Sequence, residues 1–96
     1  MEPEAVMSMD DQYQHMVTFY RALVEFDNHL AASLRDLEEH HEAIDTLWND
    51  DARLDYNRDW EPLHDRITDY LQIDSPRYQS FLEMKLKYLE RYLRGG

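Results

Sequence analysis

Two carboxylate–imidazole pairs are the residues best spaced for chemistry. Glu38-Glu39-His40-His41 and Glu61-Pro62-Leu63-His64 each set a Glu three residues ahead of a His. On a helix, positions three apart share a face, so one pair can offer a carboxylate and an imidazole to a single metal ion. Di-iron bundles use two such pairs plus a Glu from each of two further helices. If the chain doubles back near residue 50, Glu38 and His41 come level with Glu61 and His64, and Glu90 can reach the same layer. Against this, only His41 falls on an apolar seam, Pro62 disturbs the backbone inside the second pair, and a fourth carboxylate is missing. With 21 acidic residues and 5 His in the chain, such spacings also arise by chance. The expectation is no metal and no cofactor, with Glu38, His41, Glu61, His64 and Glu90 as the residues that would hold one.

Other catalytic chemistry has less support. The four serines, Ser8, Ser33, Ser75 and Ser80, lie in no strand–turn–helix elbow. There is no Cys, and both Gly stand at the C-terminus, so thiol chemistry and a phosphate-cradling loop are excluded. No enzyme is expected.

The elements that must position these residues are helical. From Gln12 to Trp48, Met16, Tyr20, Leu23, Leu30, Leu34, Leu37, Ile44 and Trp48 mark one helix face, with Asp27 and His41 as polar members of the same seam. Such polar members can fix register; the plainer expectation is that the seam turns outward there. Asn49 to Asp51 supply turn chemistry. Tyr56, Trp60, Leu63, Ile67 and Tyr70 resume the pattern, with Pro62 inside it and a kinked continuous helix preferred to a fresh start at Asp59. Asp74-Ser75-Pro76 reads as a stop and restart. Tyr78, Phe81, Leu82, Leu86, Leu89, Tyr92 and Leu93, with Tyr88 alongside, mark a third helix. The predicted fold is an all-α, three-helix single domain over residues 1–96. Residues 1–9 form a flexible arm, helix 1 (about 11–48) and helix 2 (about 51–73) form an antiparallel hairpin, and helix 3 (about 76–93) folds back.

Charge is unevenly spread. Residues 1–75 carry 19 acidic side chains against 5 Arg, a net −14, while residues 76–96 carry 2 Glu against 5 Lys or Arg, a net +3, together the −11 of the chain. A field this negative disfavours nucleic acid and anionic membrane. The short apolar runs span no membrane, and the acidic Met1-Glu2-Pro3-Glu4 start lacks a secretory pattern, so a cytoplasmic place is expected, with leaderless export left open. Acidic rows such as Asp36, Glu39, Glu42, Asp45, Asp50, Asp51, Asp55, Asp59, Asp65 and Asp69 can imitate nucleic-acid phosphates; a solvated charged face is the plainer explanation.

Helix 2 can cover only the C-terminal half of helix 1. The other half, with Tyr13, Met16, Phe19, Tyr20, Leu23 and Phe26, needs helix 3 or a second subunit. Those six residues with Tyr88 and Tyr92 are the candidate partner-binding set. A protein partner or self-association is expected, as homo-oligomer or hetero-complex.

Trp48-Asn49-Asp50 between two helices, in a chain near 100 residues, resembles the WXG100 (ESAT-6-like) family of small helical hairpins with a Trp-x-Gly turn. Those proteins dimerise and pass through type VII secretion. Tyr70-Leu71-Gln72-Ile73-Asp74 matches the family's Tyr-x-x-x-Asp/Glu export pattern in letters, while Asp50 stands in place of the Gly. The resemblance implies a small non-enzymatic helical partner protein. The terminal Leu93-Arg94-Gly95-Gly96 looks like the end of ubiquitin-like modifiers, although a helix stopped by Gly is the ordinary explanation. The function expected is an acidic, non-enzymatic interaction or adaptor module; the alternatives are a nucleic-acid mimic and a metal-binding bundle.

Overall fold

The computed structural model describes residues 2–47 and 51–95, and every element among them is helical. Helix α1 spans Glu2–Leu47, α2 spans Asp51–Asp69, a π-helical turn spans Tyr70–Asp74, and α3 spans Ser75–Leu93. The last three follow without interruption, so they form one long helix joined from pieces. The chain therefore has two long helices where three were expected, and α3 does not fold back. Of the predicted turn at Asn49 to Asp51, Asp51 begins α2 and the rest lies outside the described residues.

Helix α1 also starts earlier than the expected residue 11. Pro3 sits in its first turn, where a missing N–H costs nothing. Ala5, Met7 and Met9 are good helix formers, and no Gly or further Pro interrupts the 46 residues. Pro62 stays inside α2, which continues through it.

The expected stop at Asp74-Ser75-Pro76 fails for a backbone reason. Pro76 offers no N–H, and its ring would crowd the carbonyl four residues back. The π turn loosens the helix at that place: the Ser75 N–H donates to the Tyr70 carbonyl, a five-residue step instead of four. The chain thus passes the proline without breaking. It ends where expected, with Gly95 at φ 73° and its N–H donating to the Tyr92 carbonyl at 3.0 Å. That left-handed stop is the local job of the terminal glycine pair's first member.

Through α2 and the π turn the covered positions include Asn57, Trp60, His64, Thr68 and Leu71, and in α3 the row goes on as Ser75, Gln79, Leu82, Leu86, Leu89 and Leu93, in steps of three and four. Beside it Tyr78, Phe81, Lys85, Tyr88 and Tyr92 mark a second stripe of α3, and all five are exposed. Helix α3 thus carries two stripes, of which the leucine one is covered.

The chain divides into two compact units. Unit 1 pairs residues 1–26 with 76–96, and unit 2 is the hairpin of residues 27–75. Within each, the helical segments run antiparallel, as Tyr20 with Glu83 and Glu38 with His64 show. Each unit has one buried apolar side chain among the described residues, Leu82 in unit 1 and Leu34 in unit 2.

Candidate interaction surface

Unit 2 is closed by polar contacts at three levels. Next to the π turn, the Asp27 carboxylate is 5% exposed and accepts from both Tyr70 Oη, at 2.6 Å, and Ser75 Oγ, at 2.5 Å. The expectation that Asp27 turns outward is corrected: Tyr70 and Ser75 supply the two donors that burying this acid requires. The bond to Asp27, followed by burial, pushes the Tyr70 hydroxyl up to about 12.

The middle level holds an aromatic stack. The His41 ring lies nearly parallel to Trp60 at 4.6 Å and to Tyr56 at 5.4 Å. Trp60 in turn meets His64, tilted, at 5.4 Å. His64 Nε2 lies 2.7 Å from Glu38 Oε2, as donor to that carboxylate. Buried His41 Nδ1 meets no hydrogen-bond partner. At the third level, Arg53 donates from Nε and Nη2 to the two Asp45 oxygens at 2.8 and 2.9 Å, with Asn57 Nδ2 at 3.4 Å. The Arg53 bonds, then the Asn57 bond, hold the Asp45 carboxyl below its ordinary value.

These contacts dismantle the anticipated metal set. The structure brings Glu38 and His64 together, as the antiparallel register requires. His41 is taken up by the ring stack, Glu61 is exposed, and Glu90 belongs to unit 1, where its carboxylate takes Arg94 at 2.6 Å. Among the described residues, no group of three or more His, Cys, Asp or Glu is arranged to hold a metal ion. Of the acidic rows, Asp36, Glu39, Glu42, Asp51, Asp55, Asp59, Asp65 and Asp69 are exposed, Asp45 is engaged with Arg53, and Asp50 lies outside the described residues.

Unit 1 is built from apolar side chains instead. Of the candidate partner set, Tyr13, Met16, Tyr20 and Leu23 are half-buried along the leucine seam of α3, while Phe19, Phe26, Tyr88 and Tyr92 are exposed. Tyr20 donates its hydroxyl to Glu83 Oε1 at 2.9 Å, which raises the phenol above its ordinary value. The set is thus divided, half forming the pairing with α3 and half facing solvent.

Sequence reasoning missed Tyr78, Phe81 and Met84 as surface residues. Phe19 meets Tyr78 edge-on at 6.2 Å, Tyr78 meets Phe81 at 6.5 Å, and the Lys85 ammonium sits over the Phe81 ring at 5.5 Å. The signal was present as an apolar stripe too wide for one neighbour. Pairing with α1 divides that width into a covered half and an uncovered half. No helix among the described residues is long and apolar enough to cross a membrane. No family model, curated protein or solved structure matches this chain.

Proposed function

We propose that this chain is a non-enzymatic helical interaction module that binds protein through the exposed aromatic surface of unit 1. The observation that carries this reading is the row of rings, Phe19, Phe26, Tyr78, Phe81, Tyr88 and Tyr92, standing in solvent on a unit whose own seam is already filled by leucines. Isolated exposed apolar residues are ordinary; a contiguous row of them marks a binding surface. Aromatic side chains also supply much of the energy at protein interfaces.

The acidic remainder keeps the module soluble and turns away other acidic surfaces. A WXG100-like role is the finer form of the reading. It keeps the letters Tyr70 to Asp74, although Tyr70 is also engaged with Asp27 inside the π turn. The test is affinity capture from the native host with the intact chain and with Phe81→Glu/Tyr88→Glu. A protein held by the first and lost from the second supports the module. Identical capture profiles, with both chains helical by circular dichroism, would end it.

A further inference from the structure

We infer that the aromatic flank of unit 1 is a self-complementary seam that receives the same flank of a second copy of this chain, a refinement that rests on the interaction-module reading. Tyr78, Phe81, Lys85, Tyr88 and Tyr92 recur in steps of three and four, the rhythm by which one helix packs on another. They stand exposed beside the covered row of Leu82, Leu86, Leu89 and Leu93, so one helix carries a leucine seam inside its unit and an aromatic seam in solvent.

The occupant follows from charge and area. The chain carries −11 overall, so two copies repel over most of their surfaces. This flank is the exception. Among the described side chains of unit 1, Glu83 and Glu90 emerge on the other side of the leucine seam. There Glu83 holds Tyr20, and Glu90 lines a hollow with Asp10, Tyr13 and Gln14. Glu25 lines a hollow with Tyr20 and Val24 on that same side. On α3 the aromatic stripe holds no carboxylate, and its Lys85 lies over the Phe81 ring. On α1 the row of Phe19 runs back to His15 and Asp11, which meet each other at 3.3 Å. Two copies can meet over the α3 rings without opposing acids.

The six rings are 47–65% exposed. At roughly 150–250 Å² for a whole aromatic side chain, they leave on the order of 500–800 Å² in water per copy. A standard stable interface takes about 800 Å² from each partner. An identical patch on both copies fits a two-fold contact, which closes at a dimer instead of growing into a filament.

Sedimentation velocity of the full chain at rising concentration, in low and high salt, tests the inference. The expected result is a dimer that salt leaves intact or strengthens, because screening removes the net repulsion. Phe81→Glu/Tyr88→Glu should be a monomer with unchanged helicity, whereas Gln14→Glu, on the acid-bearing side, should still dimerise. Three results would overturn it: a monomer at every concentration, a dimer that survives the double substitution, or an association that salt dissolves, which would mark a basic-on-acidic contact. A monomeric chain that still loses a captured host protein on Phe81→Glu/Tyr88→Glu refutes the second copy while leaving the module reading in place. Loss of neither dimer nor capture refutes both.

Discussion

Units 1 and 2 are both antiparallel helical pairings, yet they are specified by different means. Unit 2 fastens its hairpin with named polar partners: Asp27 with Tyr70 and Ser75, Glu38 with His64, Asp45 with Arg53 and Asn57. Each suits one register, and at Asp27 a slipped helix would leave a buried carboxylate unmatched. Unit 1 relies on the spacing of Leu82, Leu86, Leu89 and Leu93, with Tyr20 to Glu83 as its cross-helix hydrogen bond. Apolar spacing tolerates rotation better than charge does. A helix with two apolar stripes therefore needs something outside itself to choose between them. Here the facing side of α1, with Tyr13, Met16, Tyr20 and Leu23 half-buried, makes that choice within unit 1.

Deletions sharpen this contrast most. Removing Gln72 closes the π turn and sets the Pro76 ring against the carbonyl four residues back in plain α-helix. The expected outcome is a loss of stability on urea unfolding on the order of 3 kcal/mol. Removing Met84 leaves the turn intact but rotates Leu86, Leu89 and Leu93 away from α1 by about 100°. That variant should lose the pairing of unit 1, seen as rapid exchange in residues 10–25, while unit 2 stays protected. Full tolerance of both deletions would show that neither the passage of Pro76 nor the leucine spacing specifies the pairing.

The next effect in size belongs to the clasp. Asp27→Asn keeps the shape of the side chain but removes the charge that two hydroxyls bond. Hydrogen bonds to a charged group contribute about 1.5–3 kcal/mol, so a loss in that range is expected on urea unfolding. Unit 2 should lose stability first, since its closure depends on such contacts. A loss within experimental error would mean that Tyr70 and Ser75 find equal partners elsewhere.

Much of this was legible in the sequence. The steps of four and three that mark α1 and α2 come from the apolar faces themselves, and the pairing of Glu38 with His64 followed from the antiparallel register alone. The break at Pro76 was misread because proline after Asp-Ser is the ordinary sign of a new helix. Whether a helix stops there or loosens into a π turn depends on a tertiary partner, Asp27, sitting 48 residues away from Ser75. The same contact decided the fate of Asp27 itself, whose burial no local pattern announces. The candidate surface was half legible for a related reason. Phe19, Phe26, Tyr88 and Tyr92 could be named from composition and spacing, but which half of the wide α3 stripe faces outward depends on the rotation of α3 against α1, which no local pattern fixes.

The smallest effect compares one tyrosine from each unit. Tyr70 in unit 2 and Tyr20 in unit 1 both donate to a carboxylate, so both hold their protons more firmly than an ordinary phenol at 10.0. For Tyr70 the folded value is about 12. A group raised in the folded state adds stability below its unfolded value and loses it as pH climbs through the folded one. Unit 2 should therefore keep the clasp's contribution up to pH 10 and shed it progressively towards pH 12. Tyrosinate absorbance should show Tyr70 ionising last, with Asp27→Asn moving that step down towards the ordinary value. Glu83→Gln should lower Tyr20 alone and leave unit 2 untouched. If either substitution moved both tyrosines, the two units would be electrostatically coupled, and the contrast between a polar clasp and an apolar seam would have to be redrawn.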